Sequence, residues 1–232
     1  MFIAPVKQSD YGKLKEYNRL YSFPKLPEDT NGKIVIIDSG AYAFMNMGIE
    51  YSEKLVNKLL IHHNSFNNKD YILVAPDVPK NPVKTIKLFK YYKSISDNNI
   101  RPVFHFSKGL FDLLEFIKQH NFYKDYISDY IFISDKKMRS PNGLDIDYAK
   151  SIVKIIRRYI GEKVRIHFFS CGKHLEDIRQ LSKIENISFD TTIYQFVAKS
   201  SGLCSIWGVD YTDDYDVNII NVLNKINSMY GI

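Results

Sequence analysis

The chain has 232 residues, 45% of them hydrophobic and 25% charged, with a formal net charge of +6 and an isoelectric point near 9.0. These values describe an ordinary globular chain, long enough for one well-buried domain, and they exclude a membrane span because no run of about 18 apolar residues occurs. The start at Met1 lacks the basic and apolar regions of a secretion signal, and two cysteines, Cys171 and Cys204, cannot build a disulfide framework, so a cytoplasmic location is expected.

Short β-branched runs alternate with amphipathic stretches. Strands are predicted at Phe2–Pro5, Ile34–Asp38, Tyr71–Ala75, Pro102–Phe106, Tyr130–Ser134, Val164–Phe169 and Ile187–Asp190, with a weak eighth at Ser205–Val209. Most are nearly continuous apolar runs, which suits parallel strands covered on both faces. Between the first two lies a long connection, residues 6–32, whose Tyr11, Tyr17, Leu20, Tyr21 and Phe23 predict a helix capping one mouth. Ser52 opens a helix with Leu55, Val56, Leu59 and Leu60 on one face. A second apolar stripe is Leu110, Leu113, Leu114 and Ile117, and a third runs from Ile146 through Ala149, Ile152, Val153 and Ile156 behind an Asp145 cap. Further helices are expected at about 82–97, 173–184 and 216–229. Strands alternating with helices imply right-handed βαβ units, and eight of them suggest a single-domain (β/α)8 TIM-type barrel over residues 1–232.

In such a barrel, chemistry collects at the carboxyl ends of the strands. Three carboxylates, Asp38, Asp77 and Asp190, follow apolar runs directly. A strand-end aspartate often merely caps the next helix, but three converging on one mouth would repel one another and raise at least one pKa. Two carboxylates across a small pocket suit glycosyl transfer, one meeting the anomeric carbon and one managing the leaving group's proton. A third can accept from the adjacent N–H donors on a guanine edge, and Tyr42 could stack on a base. A metal-dependent hydrolase stays open on this chemistry alone.

The run Asp38-Ser39-Gly40-Ala41-Tyr42 resembles the Asp-Ser-Gly-Gly-Tyr/Phe motif of tRNA-guanine transglycosylases, the queuine- and archaeosine-type enzymes. Val103-Phe104-His105-Phe106, His167-Phe168-Phe169-Ser170-Cys171-Gly172 and Ser188-Phe189-Asp190-Thr191-Thr192 resemble the strand ends of the short phage and viral relatives that insert 7-deazaguanines into DNA. The resemblance covers about Ile34 to Tyr194. It implies that Asp190 is the nucleophile bonding the sugar C1′ and Asp38 the general acid/base. It further implies that Tyr42 stacks on the base, that Asp77 reads its N1 and N2 donors, and that Ser39, Gly40, His105 and Gly172 shape the pocket. The base must leave its stack to enter.

The sequence also departs from the family. Full-length tRNA enzymes carry zinc on three clustered Cys and a His, which Cys171 and Cys204 cannot supply. Ser134-Asp135 stands where a glycine pair is usual. No added RNA-binding domain is recognised either, so DNA is expected ahead of tRNA as the polymer, with a 7-deazaguanine base as the small substrate and no metal or cofactor. For a phage or viral protein the location would be the host cytoplasm. The basic balance agrees with a nucleic-acid partner. Lys80, Lys84 and Lys87 are expected on one helix face after Asp77, and Lys136, Lys137 and Arg139 after the fifth strand, as a phosphate-tracking rim. His105 and His167 lie inside apolar strands, where a core histidine is as good a reading as a ligand, and His62-His63 lacks a third metal ligand. Two other functions remain: an N-glycosidase in which water resolves the intermediate, and a barrel without catalysis that serves as a nucleic-acid-binding subunit.

Overall fold

Among the described residues nine short strands run parallel at the centre: β1 (Phe2–Ile3), β2 (Arg19–Ser22), β3 (Val35–Asp38), β4 (Tyr71–Val74), β5 (Ile100–Arg101), β6 (Val103–His105), β7 (Tyr130–Ser134), β8 (Arg165–Phe168) and β9 (Ile187–Thr191). The structure is a computed structural model and describes residues 1–4, 14, 16–25, 33–66, 71–139, 143–171, 174–191 and 193–230. Strand order is β5-β4-β3-β2-β1-β9-β8-β7-β6. Only Pro102 separates β5 from β6, so the two edges of this ribbon meet on one segment. Ala75 N donates to Arg101 O at 2.9 Å on one side, and Phe132 N donates to Pro102 O at 3.0 Å on the other. The sheet is therefore a nearly closed parallel barrel. Proline removes one donor at the junction, which suits a strand that changes neighbours there.

Side chains alternate in and out along each strand. Phe2, Leu20, Ile36, Ile72, Val74, Val103 and Phe132 form one small cluster in the barrel interior. Their neighbours Ile3, Tyr21, Val35, Ile37, Leu73, Phe104 and Ile133 belong to the larger core beneath the helices. Those helices are α1 (Ala41–Asn46), α2 (Glu53–His63), α3 (Pro82–Ile95), α4 (Leu113–Tyr123), α5 (Ile146–Ile160), α6 (Leu175–Leu181), α7 (Ile193–Val197), α8 (Ser201–Trp207) and α9 (Tyr215–Tyr230). Helix α5 follows the predicted pattern. Asp145 accepts from Tyr148 N at its start, and Ala149, Ile152, Val153 and Ile156 are buried. Each fully buried aliphatic side chain there contributes about 1.5–3 kcal/mol.

Four expectations are corrected. Residues 6–32 are not one connection, because β2 lies within them and pairs with β1 and β3; the rest of that stretch, apart from Leu14, residues 16–18 and 23–25, is outside the described residues. Ser205–Val209 is not a strand: it forms the end of α8, which Ser200 caps by accepting from Leu203 N and left-handed Gly208 closes. The stripe Leu110, Leu113 and Leu114 is exposed rather than core. Asp112 accepts from Glu115 N and starts α4 so that Phe116, Gln119 and Tyr123 face inward instead. Lys80 precedes α3 in a left-handed turn, φ 60°, so it does not share the helix face of Lys84 and Lys87. Among the described residues no helix is long and apolar enough to cross a membrane.

Candidate active site

The carboxyl ends of the strands surround a cavity of about 240 Å³, lined by Ala4, Ser22, Lys25, Asp38, Tyr42, Asp77, His105, Ser134, Phe169, Ser170 and Asp190 among others. This volume lies just below the range of pockets for drug-sized ligands and suits one small planar group. Of the predicted residues, Asp38, Tyr42, Asp77, His105 and Asp190 line it together. Ser39 is buried beside it and acts through Asp77. Gly172 and the Arg139 side chain lie outside the described residues.

Asp38 ends β3, and its Oδ2 accepts from Ser22 Oγ at 3.1 Å and from Gly40 N at 3.2 Å. Ser22 and Asp38 are register partners on adjacent strands, so the pleat puts them side by side facing inward. Gly40 makes the turn possible. Its φ is +74°, and a Cβ there would meet the Phe23 carbonyl oxygen at 2.4 Å. Burial raises the Asp38 carboxyl from 3.8 to about 7, helped by the charges of Asp77 and then Asp190, while the Gly40 N–H and Ser22 hydroxyl oppose the rise. A carboxyl raised this far suits proton exchange near neutral pH.

Asp77 follows β4, and both of its oxygens are occupied. Ser39 Oγ donates to Oδ1, and His105 Nε2 stands 2.6 Å from Oδ2. Tyr51 OH donates to Ser39 O at 2.9 Å, with its own pKa pushed well above ordinary by burial and then by Asp77. Gln119 of α4 clamps the His105 backbone from both sides, accepting from its N at 3.1 Å and donating to its O at 2.7 Å.

Asp190 on β9 is held through one oxygen. Ser170 N donates to Oδ1 at 2.8 Å, and His167 Nε2 lies 3.2 Å from the same atom. Ser170 adopts φ 56°, a strained value for a residue with a Cβ, and this conformation aims its N–H at the carboxylate. No donor among the described residues contacts Oδ2.

Ser134 lines the cavity, whereas its neighbour Asp135 turns away from it. Asp135 accepts from Phe111 N at 2.6 Å, Lys137 N at 2.7 Å, Met138 N at 3.1 Å and Tyr148 OH at 2.7 Å, which braces two rim loops. The basic residues divide. Lys84 is paired with Glu50, and Lys137 is paired with Asp145 at 2.9 Å and stacks over Tyr148. Lys87 is exposed and shares a shallow groove with Glu50 and Glu53. Lys80 and Lys136 are exposed on either side of Gly109, in loops that follow β4 and β7.

Sequence reasoning missed Ser22, Lys25, Tyr51, Gln119, Ser170 and Ser188 as parts of the site. Ser188 was legible in one respect, since it stands two residues before Asp190 and so shares its face of β9. His62 and His63 sit on α2, away from the cavity. Among the described residues no group of three or more His, Cys, Asp or Glu could hold a metal ion, and Cys171 and Cys204 are buried free thiols. No family model, no curated protein and no solved structure matches this chain.

Proposed function

We propose that this protein is a nucleic-acid guanine transglycosylase that exchanges guanine for a 7-deazaguanine base, with DNA as its polymer ahead of tRNA. One observation carries the reading: Asp190 and Asp38 share one cavity, each anchored through a single oxygen. Among the described residues no donor reaches Asp190 Oδ2, while burial raises the Asp38 pKa to about 7. Those are the needs of a nucleophile and of a general acid/base. The resemblance of the strand-end motifs assigns the same two roles. Counting β5 and β6 as one strand interrupted at Pro102 gives eight strands, in keeping with a (β/α)8 barrel.

The step balances as follows. Asp190 Oδ2 bonds to the sugar C1′ as the glycosidic C1′–N9 bond breaks. That bond's electron pair leaves on guanine, which takes the Asp38 proton. The incoming 7-deazaguanine then loses its N9 proton to Asp38, N9 bonds to C1′, and Asp190 departs as a carboxylate. Tyr42 stacks on the base at the mouth, and Asp77 accepts from its N1–H and N2–H through the lone pairs that Ser39 and His105 leave unused. Ser134 offers a hydroxyl where the family has glycine, and Asp135 supports the wall from outside. Lys80 and Lys136, exposed on either side of Gly109, would contact the flanking phosphates. DNA is favoured because the cysteines at 171 and 204 cannot form the zinc site of the tRNA enzymes.

The test is incubation with radiolabelled guanine and either DNA or tRNA. Label entering DNA is expected. An abasic product without label would favour the N-glycosidase instead, and neither label nor abasic product in either polymer would overturn the reading in favour of a binding subunit.

A further inference from the structure

His167 is the one fully enclosed imidazole beside the cavity among the described residues, and the chemistry above leaves it without a task. It faces inward from β8, with its ring between those of Phe2, Phe132 and Phe169 at centroid distances of 5.5, 5.1 and 5.3 Å. Both nitrogens meet side chains of β9. Nδ1 lies 2.9 Å from Ser188 Oγ, and Nε2 lies 3.2 Å from Asp190 Oδ1. Strand register produces this arrangement, since His167 is the direct partner of Ser188 and Asp190 is the next inward residue along β9.

The polarity of the chain of hydrogen bonds follows from the ring. A neutral imidazole has one donor and one acceptor. The nitrogen facing a carboxylate carries the hydrogen, so Nε2–H donates to Asp190. Nδ1 is then the acceptor, and the Ser188 hydroxyl donates to it. The aromatic walls favour the neutral ring: burial lowers the His167 pKa, against the opposing pull of Asp190, and the buried Met1 amine lowers it further. A further cation on the same strand is Arg165, two residues earlier, whose guanidinium donates to Tyr130 OH on β7 at 2.8 Å.

We propose that His167 is a positioning residue for Asp190, a neutral Nε2–H donor, locked in that tautomer by Ser188, that fixes Oδ1 and leaves Oδ2 to meet the sugar. Its catalytic consequence rests on the transglycosylase reading; its geometry does not. Misplacing a nucleophile by an ångström costs on the order of 100-fold in rate, which sets the scale expected when the donor is removed.

Two arms test this. In the first, nitrogen-15 NMR of the intact chain reads the His167 ring without any turnover. A neutral Nε2–H tautomer that persists from about pH 5.5 to 8, across the range where a free imidazole titrates, is expected. An Nδ1–H tautomer or an imidazolium at neutral pH overturns the proposal. In the second, base exchange is measured for His167→Phe, which keeps the volume but loses the donor. A fall in kcat of about 100-fold with KM unchanged is expected, while His167→Gln, which retains an N–H donor, keeps most of the rate. Wild-type kcat in His167→Phe overturns the proposal. Should that variant fail to fold, Ser188→Ala serves instead, with a loss of about 10-fold and a mixture of tautomers expected; no change in either overturns it. If the wild-type chain exchanges no base in DNA or tRNA, the transglycosylase reading falls by itself and the NMR arm decides the placement of Asp190.

Discussion

Among the described residues two serine–histidine–aspartate trios reach the cavity of this barrel, built from the same three residue types in different orders. In the first, Asp77 is the centre, taking Ser39 on one oxygen and His105 on the other. In the second, His167 is the centre, taking Ser188 on one nitrogen and Asp190 on the other. The order decides what the carboxylate can do. A central aspartate is fixed at both oxygens and can only receive further donors. A terminal aspartate is fixed at one oxygen and has the other to spend on a substrate. The second trio has the connectivity of a hydrolase triad, but Ser188 is buried below the cavity and Asp190 lines it. The carboxylate end faces the cavity, so the serine is placed as an anchor and not as a nucleophile.

The largest expected effect comes from breaking the terminal carboxylate. In Asp190→Asn the amide oxygen still accepts from Ser170 N and His167 Nε2–H, so the fold should survive, while the atom replacing Oδ2 cannot attack. Exchange should fall on the order of 10⁴-fold, the scale seen when a unit of covalent catalysis is lost, with a melting temperature near that of the wild type. Full exchange activity in this variant would remove Asp190 from the role of nucleophile. Altering the central carboxylate should act differently. Asp77→Asn turns one acceptor into a donor facing either Ser39 or His105, which should destabilise the fold by about 1–3 kcal/mol. It should also weaken recognition of the base more than the chemical step, with KM rising about 100-fold and kcat changing less. A kcat loss as large as that of Asp190→Asn, with KM unchanged, would erase the distinction between the trios.

The same contrast explains what could be read from the residues alone. Asp38, Asp77 and Asp190 were visible because each ends an apolar run, and the period-2 pleat fixes which strand residues face inward. Strand β2 was hidden because Arg19, Tyr21 and Ser22 interrupt its apolar signal. Arg19 is nonetheless buried, and Ser22 is inward only because β3 supplies Asp38 as its partner. The apolar Ile206-Trp207 pair suggested a strand near the end of the chain, whereas a Ser200 cap and a Gly208 stop enclose a seven-residue helix. His167 was ambiguous for a deeper reason. Its meaning depends on cross-strand register with Ser188, a non-local pairing that no local pattern encodes. For Asp135 the altered chemistry was plain, but its outward orientation and the donors that hold it were not.

Asp38 lies between the trios and titrates under their influence, which makes the smallest predicted effect also the most direct reading of the site's field. Its pKa rises from 3.8 to about 7 on folding, through burial first and the charge of Asp77 second. The folded chain therefore holds a proton that the unfolded chain releases near pH 4. Between about pH 4 and 7 the unfolded state binds fewer protons, so stability falls as pH rises through this window and levels off above it. Asp38→Asn keeps an oxygen for Gly40 N and Ser22 Oγ but removes the titration. It should match the wild type near pH 4 and exceed it above pH 7 by about 2 kcal/mol, a figure reduced from the full linkage because cavity water screens the charge. Urea unfolding at both pH values measures the difference. Combining Asp38→Asn with Asp77→Asn should shrink that gain, because Asp77 supplies part of the field that makes an ionised Asp38 costly, and an additive result would mean that the two carboxylates do not sense each other across the cavity.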